Sequence, residues 1–370
     1  MKIAMIGQKG IPAQSGGIEK HVGELATRLV KAGHEVYVYT RPNYTDKNLK
    51  TYQGVNLISL PSINSKHLDA ITHTFLASIH AVFSRKYEVV HYHGIGPSSL
   101  LFLVKILRPG LPVTSTFHCQ DYYHQKWGIF ARMYLKFGEY MCCKFADKVI
   151  AVSHGLKDYA EKKYRRKVDY IPNGVNIYPS LEAKEITEKW GLVSGEYILS
   201  VSRLVRHKGI HYLINAYNEL KTDKKLVIVG EGAFTDDYTR KIKKLAQDNP
   251  NIIFTGKQSG NTLMELYSNA YIFAQPSESE GLSLALLEAM SYGLPVLVSD
   301  IPENLEPSGE AGISFRSGDE KDLKEKLNYA LSHPSQIKNK GKKAQKRINS
   351  EYSLENITKN TLGLYRSMLI

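Results

Sequence analysis

Apolar residues come in short dense runs bounded by Gly, Pro, Asn or Asp, and each run is followed by a longer stretch where apolar positions recur every three or four residues. The first rhythm belongs to strands buried on both faces, the second to helices with one apolar stripe. On this reading strands occupy 2–6, 35–40, 55–60, 88–92, 113–117, 148–151 and 168–171, and helices 18–32, 67–84, 97–107, 128–145 and 154–163. Pro172-Asn173-Gly174 reads as a turn. The rhythm then restarts. Strands at 197–202, 225–230, 251–255, 271–275 and 295–298 alternate with helices at 209–220, 235–248, 260–270 and 283–292. Strand followed closely by helix, repeated, marks a doubly wound parallel sheet. The chain is therefore expected to be α/β, with a first domain over 1–172, an interdomain segment over 173–195 and a second domain over 196–352. A last helix within 353–370 has no strand after it and is expected to pack back on the first domain. Tandem sheets predict a cleft between them, and ligands of open α/β sheets sit at the carboxyl ends of strands.

Size and composition agree with this picture. The 370 residues are long for one core, and 42% hydrophobic with 23% charged residues excludes disorder. The apolar run Leu100-Leu101-Phe102-Leu103-Val104 is cut by Lys105 and Arg108, too short to span a bilayer. The N-terminus reads as a first strand rather than a signal peptide, so the cytoplasm is the expected location. Cys119, Cys142 and Cys143 lack metal-ligand spacing and are expected to be reduced thiols.

Charge adds an asymmetry. Residues 1–175 carry 24 Lys and Arg against 12 Asp and Glu, whereas residues 176–370 carry 25 against 24. A basic half attracts nucleic acid or an anionic membrane. Lys162-Lys163-Tyr164-Arg165-Arg166-Lys167, and Arg132, Lys136, Lys144 and Lys148 set among apolar residues of 128–148, suit a membrane surface at the inner face of the cell. No zinc-finger spacing or aromatic RNA-binding pattern supports nucleic acid.

The loops after strands carry the chemistry. Gly16-Gly17 opens the first helix, with Glu19 and Lys20 just inside, and lets backbone N–H groups approach a phosphate. The G-x-G-x-x-G pattern is absent, and Thr40-Arg41 stands where an NAD site has its acidic residue. His118 follows strand 113–117. His91 and His93 alternate on strand 88–92 and so share one face, one of them facing the site. Arg203 and Lys208 follow the first strand of the second domain and offer fixed positive charge to a diphosphate. Gly230, Gly256 and Lys257 follow two further strands and suit close approach to a flat base. Finally, Glu280 stands in the loop Ser279-Glu280-Gly281-Leu282, Ser283 caps the next helix, and Glu288 lies about a turn and a half inside it. A helix start suits phosphate, and a carboxylate can take both hydroxyls of a ribose. Each loop alone is equally consistent with a solvated surface; together they form one ligand-binding constellation.

Taken in order, these residues resemble the retaining GT-B glycosyltransferases of family 4 over essentially the whole chain. The resemblance rests on Gly16-Gly17, His118, Pro172-Asn173-Gly174-Val175, Arg203 with Lys208, and the E-x7-E pair Glu280 and Glu288. The wording around Gly128 and Ser299-Asp300-Ile301-Pro302-Glu303-Asn304 is similar to bacterial polysaccharide-assembly members, among them rhamnosyl- and hexosaminyltransferases. The resemblance implies a GT-B fold, two Rossmann-like domains facing across a cleft. It implies that Arg203 and Lys208 hold the diphosphate of an NDP-sugar (UDP, GDP or dTDP) as it leaves, that Glu288 holds the ribose, and that Glu280 contacts the donor sugar. The backbone of Gly281, Leu282 and Ser283 would lie along sugar and phosphate, Gly16 and Gly17 would approach the diphosphate, and His118 would touch the sugar near the reacting carbon. Glu19, Lys20 and His93 are candidates for the acceptor side. No metal or other cofactor is expected, because protein cations and helix N-termini take its place, and transfer would proceed on the front face with retention to a glycan or polyprenyl-linked acceptor. Leu282-Ser283 departs from the aromatic and Gly common there, and Asn176 from a common Asp.

Rival readings are a nucleotide-sugar epimerase or hydrolase, which turns over without acceptor; a non-catalytic glycan- or nucleotide-binding protein, which has no transfer to lose; and a nucleic-acid binder, which shows steep salt dependence.

Overall fold

The computed structural model describes residues 1–14, 16–65, 68–84, 87–123, 128–232 and 236–369. Ser15 of the glycine loop, and His67 and Thr235 at the starts of two predicted helices, lie outside the described residues. The chain divides into two compact units, Met1–Gly174 with Leu354–Ile370, and Val175–Ser353.

The first unit holds β1 (Lys2–Ile6), β2 (Glu35–Thr40), β3 (Thr51–Tyr52), β4 (Val55–Ser59), β5 (Val89–His93), β6 (Val113–Phe117), β7 (Lys148–Ala151) and β8 (Asp169–Tyr170), in the order β3-β4-β2-β1-β5-β6-β7-β8. All pairings are parallel except the β3–β4 hairpin. Ile3 is aligned with Val36 on one side and Val89 on the other, so the central strands read as unbroken apolar runs. The chain winds outward from β1 to β4, then returns to β5 on β1's other side. That reversal opens a crevice at the carboxyl ends of β1 and β5. Gly7 ends β1 there with φ 121, and a Cβ on it would meet the His93 carbonyl.

The second unit holds β9 (Tyr197–Val201), β10 (Lys225–Val229), β11 (Ile252–Gly256), β12 (Ile272–Gln275), β13 (Val296–Ser299) and β14 (Gly312–Phe315), all parallel, in the order β11-β10-β9-β12-β13-β14. Its reversal lies between β9 and β12. The loops after those strands carry Arg203 and Lys208 on one side and Glu280 on the other.

The expected class, two Rossmann-like parallel sheets, is what the chain forms. Three local expectations change. The helix read at 97–107 is two, Ile95–Ser98 and Leu101–Leu107, because Gly94 (φ 90) turns the chain straight from β5 into a helix. Residues 173–195, read as the interdomain segment, include the helix Glu185–Trp190, whose start is held by the Glu265 carboxylate accepting from the N–H groups of Lys184 (2.9 Å) and Ile186 (3.2 Å). Beyond 299 the pattern left unread Pro302–Ser308, β14, Glu320–Ser332 and Pro334–Glu351. The last helix, Leu354–Arg366, joins the first unit's core: Ile357, Leu362 and Tyr365 pack with Val22, Leu25 and Leu29 of the helix Gly17–Lys31.

Candidate functional site

In the first unit, three histidines gather at the crevice. His93 ends β5, His118 follows β6, and His21 lies four residues into the helix Gly17–Lys31, one turn past Gly17. All three are buried. His93 Nδ1 and His118 Nε2 are 3.3 Å apart, and the His21 ring meets His93 and His118 edge-on at 5.7 and 5.2 Å. His91, on the same face of β5, stacks on His93 at 3.9 Å but turns away, bonding Thr116 (2.7 Å) and the Tyr365 hydroxyl (2.6 Å). His93 therefore faces the cluster and His91 supports it from beneath. Burial pushes His21 down to about 4 and His91 to about 3, and holds His93 and His118 well below the ordinary imidazole value. These are neutral rings, fit to exchange hydrogen bonds with hydroxyls rather than to supply positive charge.

Gly16, at φ 101, caps that same helix without a side chain. A Cβ on it would collide with the Glu19 carboxylate, which turns back to accept from the Lys9 N–H at 3.0 Å. Glu19, a sequence candidate for the acceptor side, thus braces the glycine loop. Lys20 is half-buried on the next position. His21 went unread in the sequence; its i, i+4 relation to Gly17 is the signal that points it at the loop.

Among the described residues, His21, His93 and His118 are the one group able to offer three metal-ligating atoms, all within 4.8 Å of one another. Three neutral imidazoles are zinc-type donors. The His93–His118 contact, however, already engages one nitrogen of each ring.

In the second unit, Lys208 and Glu280 meet. Both carboxylate oxygens lie 2.6 Å from Nζ, and the Ser277 hydroxyl donates to Oε1 at 2.7 Å. The side chains are 15% and 7% exposed. Gly209 (φ 68) makes the approach possible, because any Cβ there would collide with the Pro276 carbonyl. Glu303 stands near, its carboxyl raised by burial first and then by the Glu280 charge. Ser283 caps the helix Leu284–Ser291 as expected, accepting from Leu286 N at 3.3 Å and donating to Gln275 Oε1 at 2.8 Å. Its hydroxyl is committed, so Gly281, buried Leu282 and Ser283 present backbone. Glu288 is buried on that helix beside Tyr267, whose phenol is pushed well above its usual value by burial and then by the Glu288 charge. Arg203 is exposed after β9. Gly230 (φ 141) packs on the Ser202 carbonyl, while Gly256 (φ 69) and exposed Lys257 close β11. The sequence candidates of this half thus collect at the carboxyl edge of one sheet.

Comparison with known proteins agrees with the geometry. Residues 15–178 match the family model described as Glycosyltransferase Family 4, and residues 182–347 match Glycosyl transferases group 1. A glycosyltransferase of Methanocaldococcus jannaschii is 30% identical, covering 99% of this chain and 98% of its own length. The alpha-monoglucosyldiacylglycerol synthase of Streptococcus pneumoniae is 28% identical over 82% of this chain and 72% of its own. In fold, the chain is similar to sucrose-phosphate synthase of Thermosynechococcus elongatus (TM-score 0.83, 23% identity, 99% of this chain and 98% of that one). It is also similar to HepE of Anabaena, solved with UDP-glucose (TM-score 0.82, 17% identity, 99% and 100%). The chain belongs to the group 1, family 4 glycosyltransferases, with a GT-B fold.

Proposed function

We propose that the protein is a retaining, metal-independent hexosyltransferase that uses an NDP-sugar and serves cell-surface polysaccharide assembly, acting on a glycan or polyprenyl-linked acceptor. The observation that carries this is the Lys208–Glu280 pair at one switch point, with Arg203 on the same loop as Lys208 and an N-capped helix just after Glu280. Arg203, Lys208 and the N–H groups of Leu282 and Ser283 would take the diphosphate, because charge grows there as the glycosyl bond breaks. Glu288 would hold the ribose and Glu280 a sugar hydroxyl. Neutral His118, whose Nε2 is engaged by His93, would turn Nδ1 to the sugar. In the step, the anomeric C–O bond to phosphate breaks and the acceptor oxygen bonds to carbon on the same face. Its proton passes to the departing phosphate oxygen. HepE, solved with UDP-glucose, and the Streptococcus synthase, a glucosyldiacylglycerol enzyme, support a nucleotide-sugar donor and a lipid acceptor respectively. No helix of the described residues is long and apolar enough to cross a membrane. The basic first half would instead dock peripherally on the anionic inner face.

The test is a panel of UDP-, GDP- and dTDP-sugars scored by thermal shift, followed by transfer assays with the preferred donor. Arg203→Ala and Glu288→Ala should each lower kcat by about 10²–10³. Full activity in both variants, or a product of inverted anomeric configuration, refutes the assignment.

A further inference from the structure

The helix Ile129–Phe145 breaks the usual rule for a surface helix. Its buried side carries Leu135, Gly138, Glu139 and Cys142, as expected. Its outward spine, where charged residues belong, carries Phe130 (88% exposed), Met133 (63%), Phe137 and Tyr140 at helical spacing. Ile106 and Leu107 of the neighbouring helix Leu101–Leu107 are exposed too. A contiguous apolar surface of this kind marks an interaction site. Arg132 and Lys136 flank the spine, one turn apart, and among the described residues neither has a carboxylate partner. Basic flanks along an apolar face fit an anionic lipid surface.

Beside this spine the same helix forms one wall of a pocket of about 210 Å³, lined by Tyr122, Tyr123, Arg132, Lys136, Tyr159 and Lys163. The volume is below the ~300–1,000 Å³ of a whole small-molecule site, and suits a single polar head. The walls are held from below. Fully buried Glu139 accepts from Tyr159 (2.9 Å), Lys163 (2.7 Å) and Tyr164 (2.5 Å) through one oxygen. Tyr122 and Tyr159 share a 3.1 Å hydroxyl contact, and Lys136 stands over the Tyr122 ring. Despite burial, Glu139 is held below the usual carboxylate range by Lys163 first and then by the phenols, so it stays charged. Three cations face the pocket against one sealed carboxylate. The excess is positive and preorganised. The loop that supplies Tyr122 and Tyr123 leaves β6 directly through His118.

We infer that this pocket binds the phosphate of the lipid-linked acceptor, with the Phe130–Met133–Phe137 spine seated in the bilayer beside it. The inference rests on the reading of the acceptor as lipid-linked. A bulk headgroup needs only the charged flank; a built pocket on the loop that carries His118 fits a phosphate attached to the reacting molecule.

The experiment measures binding of the full chain to phosphatidylcholine vesicles doped with polyprenyl phosphate or, at matched surface charge, with phosphatidylglycerol. The wild-type protein should prefer polyprenyl phosphate. Arg132→Ala with Lys136→Ala should abolish that preference, losing about fivefold per charge removed, while the nucleotide thermal shift is unchanged. Lys144→Ala with Lys148→Ala, which removes equal charge from the same region, should keep it. Phe130→Ser with Met133→Ser should weaken binding to both vesicles. No preference in the wild type, or a preference that survives Arg132→Ala with Lys136→Ala, overturns the pocket. If the preference behaves as stated but sugar is transferred only to water-soluble glycans, the lipid-phosphate site stands and the lipid-acceptor reading falls.

Discussion

Lys208 and Glu280 are assigned to different parts of one donor, yet they bond each other, and this separates their structural from their chemical contribution. Lys208→Met removes the cation and leaves a 7%-exposed carboxylate with the Ser277 hydroxyl and with Glu303 nearby. Breaking a fully buried pair from one side costs roughly 3–5 kcal/mol; Lys208 is 15% exposed, so about 2–3 kcal/mol is expected here. Glu280→Gln leaves a lysine that can swing to water and keeps a hydrogen-bonding group for Ser277, so its cost is about 1 kcal/mol. The double variant no longer strands a charge. It should be more stable than Lys208→Met alone, with a coupling of at least ~1 kcal/mol. Urea unfolding reads this through Trp190 of the second unit, in a Trp127→Phe background that leaves one reporter. Transfer should be lost in all three variants, the double one included, because restored stability returns neither the proposed phosphate cation nor the proposed sugar contact. Additivity within ~0.5 kcal/mol would mean the pair is not coupled in the folded protein, and the argument from burial would fail.

Two further outcomes follow from local geometry. Burial lowers His21 to about 4, so the folded protein binds fewer protons than the unfolded chain below pH 6.5. Its contribution is complete above that value and falls by about 3 kcal/mol as pH drops to 4. Hydrogen-exchange protection factors over 89–93 and 113–117, which divide out the intrinsic pH dependence of exchange, should fall less on acidification in His21→Asn than in the wild type, and identical pH slopes would contradict a buried neutral ring. Gly209→Ala should cost roughly 1–3 kcal/mol and most of the activity, since φ is 68 and the Cβ meets the Pro276 carbonyl. Gly191→Ala, at φ 59 with only the Lys225 ammonium within 4 Å (3.7 Å), should cost less in thermal denaturation; equal costs would show that strain rather than collision decides.

What could be read from the chain beforehand follows from where the physics is local. Central strands such as 2–6 and 113–117 are short apolar runs between breakers, and their helices carry clear stripes, so the doubly wound order was legible. Pro334–Glu351 was not, because only Ile337, Gly341, Ala344 and Ile348 are buried in an otherwise charged helix. Gly341 sits so close to the Gly293 carbonyl that a Cβ would collide with it, a tertiary fit without a sequence signature. At the site, the loop positions of Arg203, Lys208 and Glu280 could be read, since parallel sheets gather ligands at strand ends. The direct pairing of Lys208 with Glu280 could not, since it depends on which strands flank the reversal. His21 was hidden for the opposite reason: a single imidazole on an amphipathic helix looks like any buried polar residue until β5 and β6 bring two more to it.

The helix Leu354–Arg366 has a consequence for how the molecule is made. The first unit is built from two stretches of chain, and Ile357, Leu362 and Tyr365 of its core are synthesised only after the whole of the second unit. The second unit, contiguous from 175 to 353, has its whole chain available earlier. Tyr365 also supports His91, and through it the ring stack under His93 and His118. Order at the candidate sugar-contacting histidine therefore waits until residues 354–366 have been made. A nascent chain carries the whole of its second unit before its histidine cluster has the support it needs.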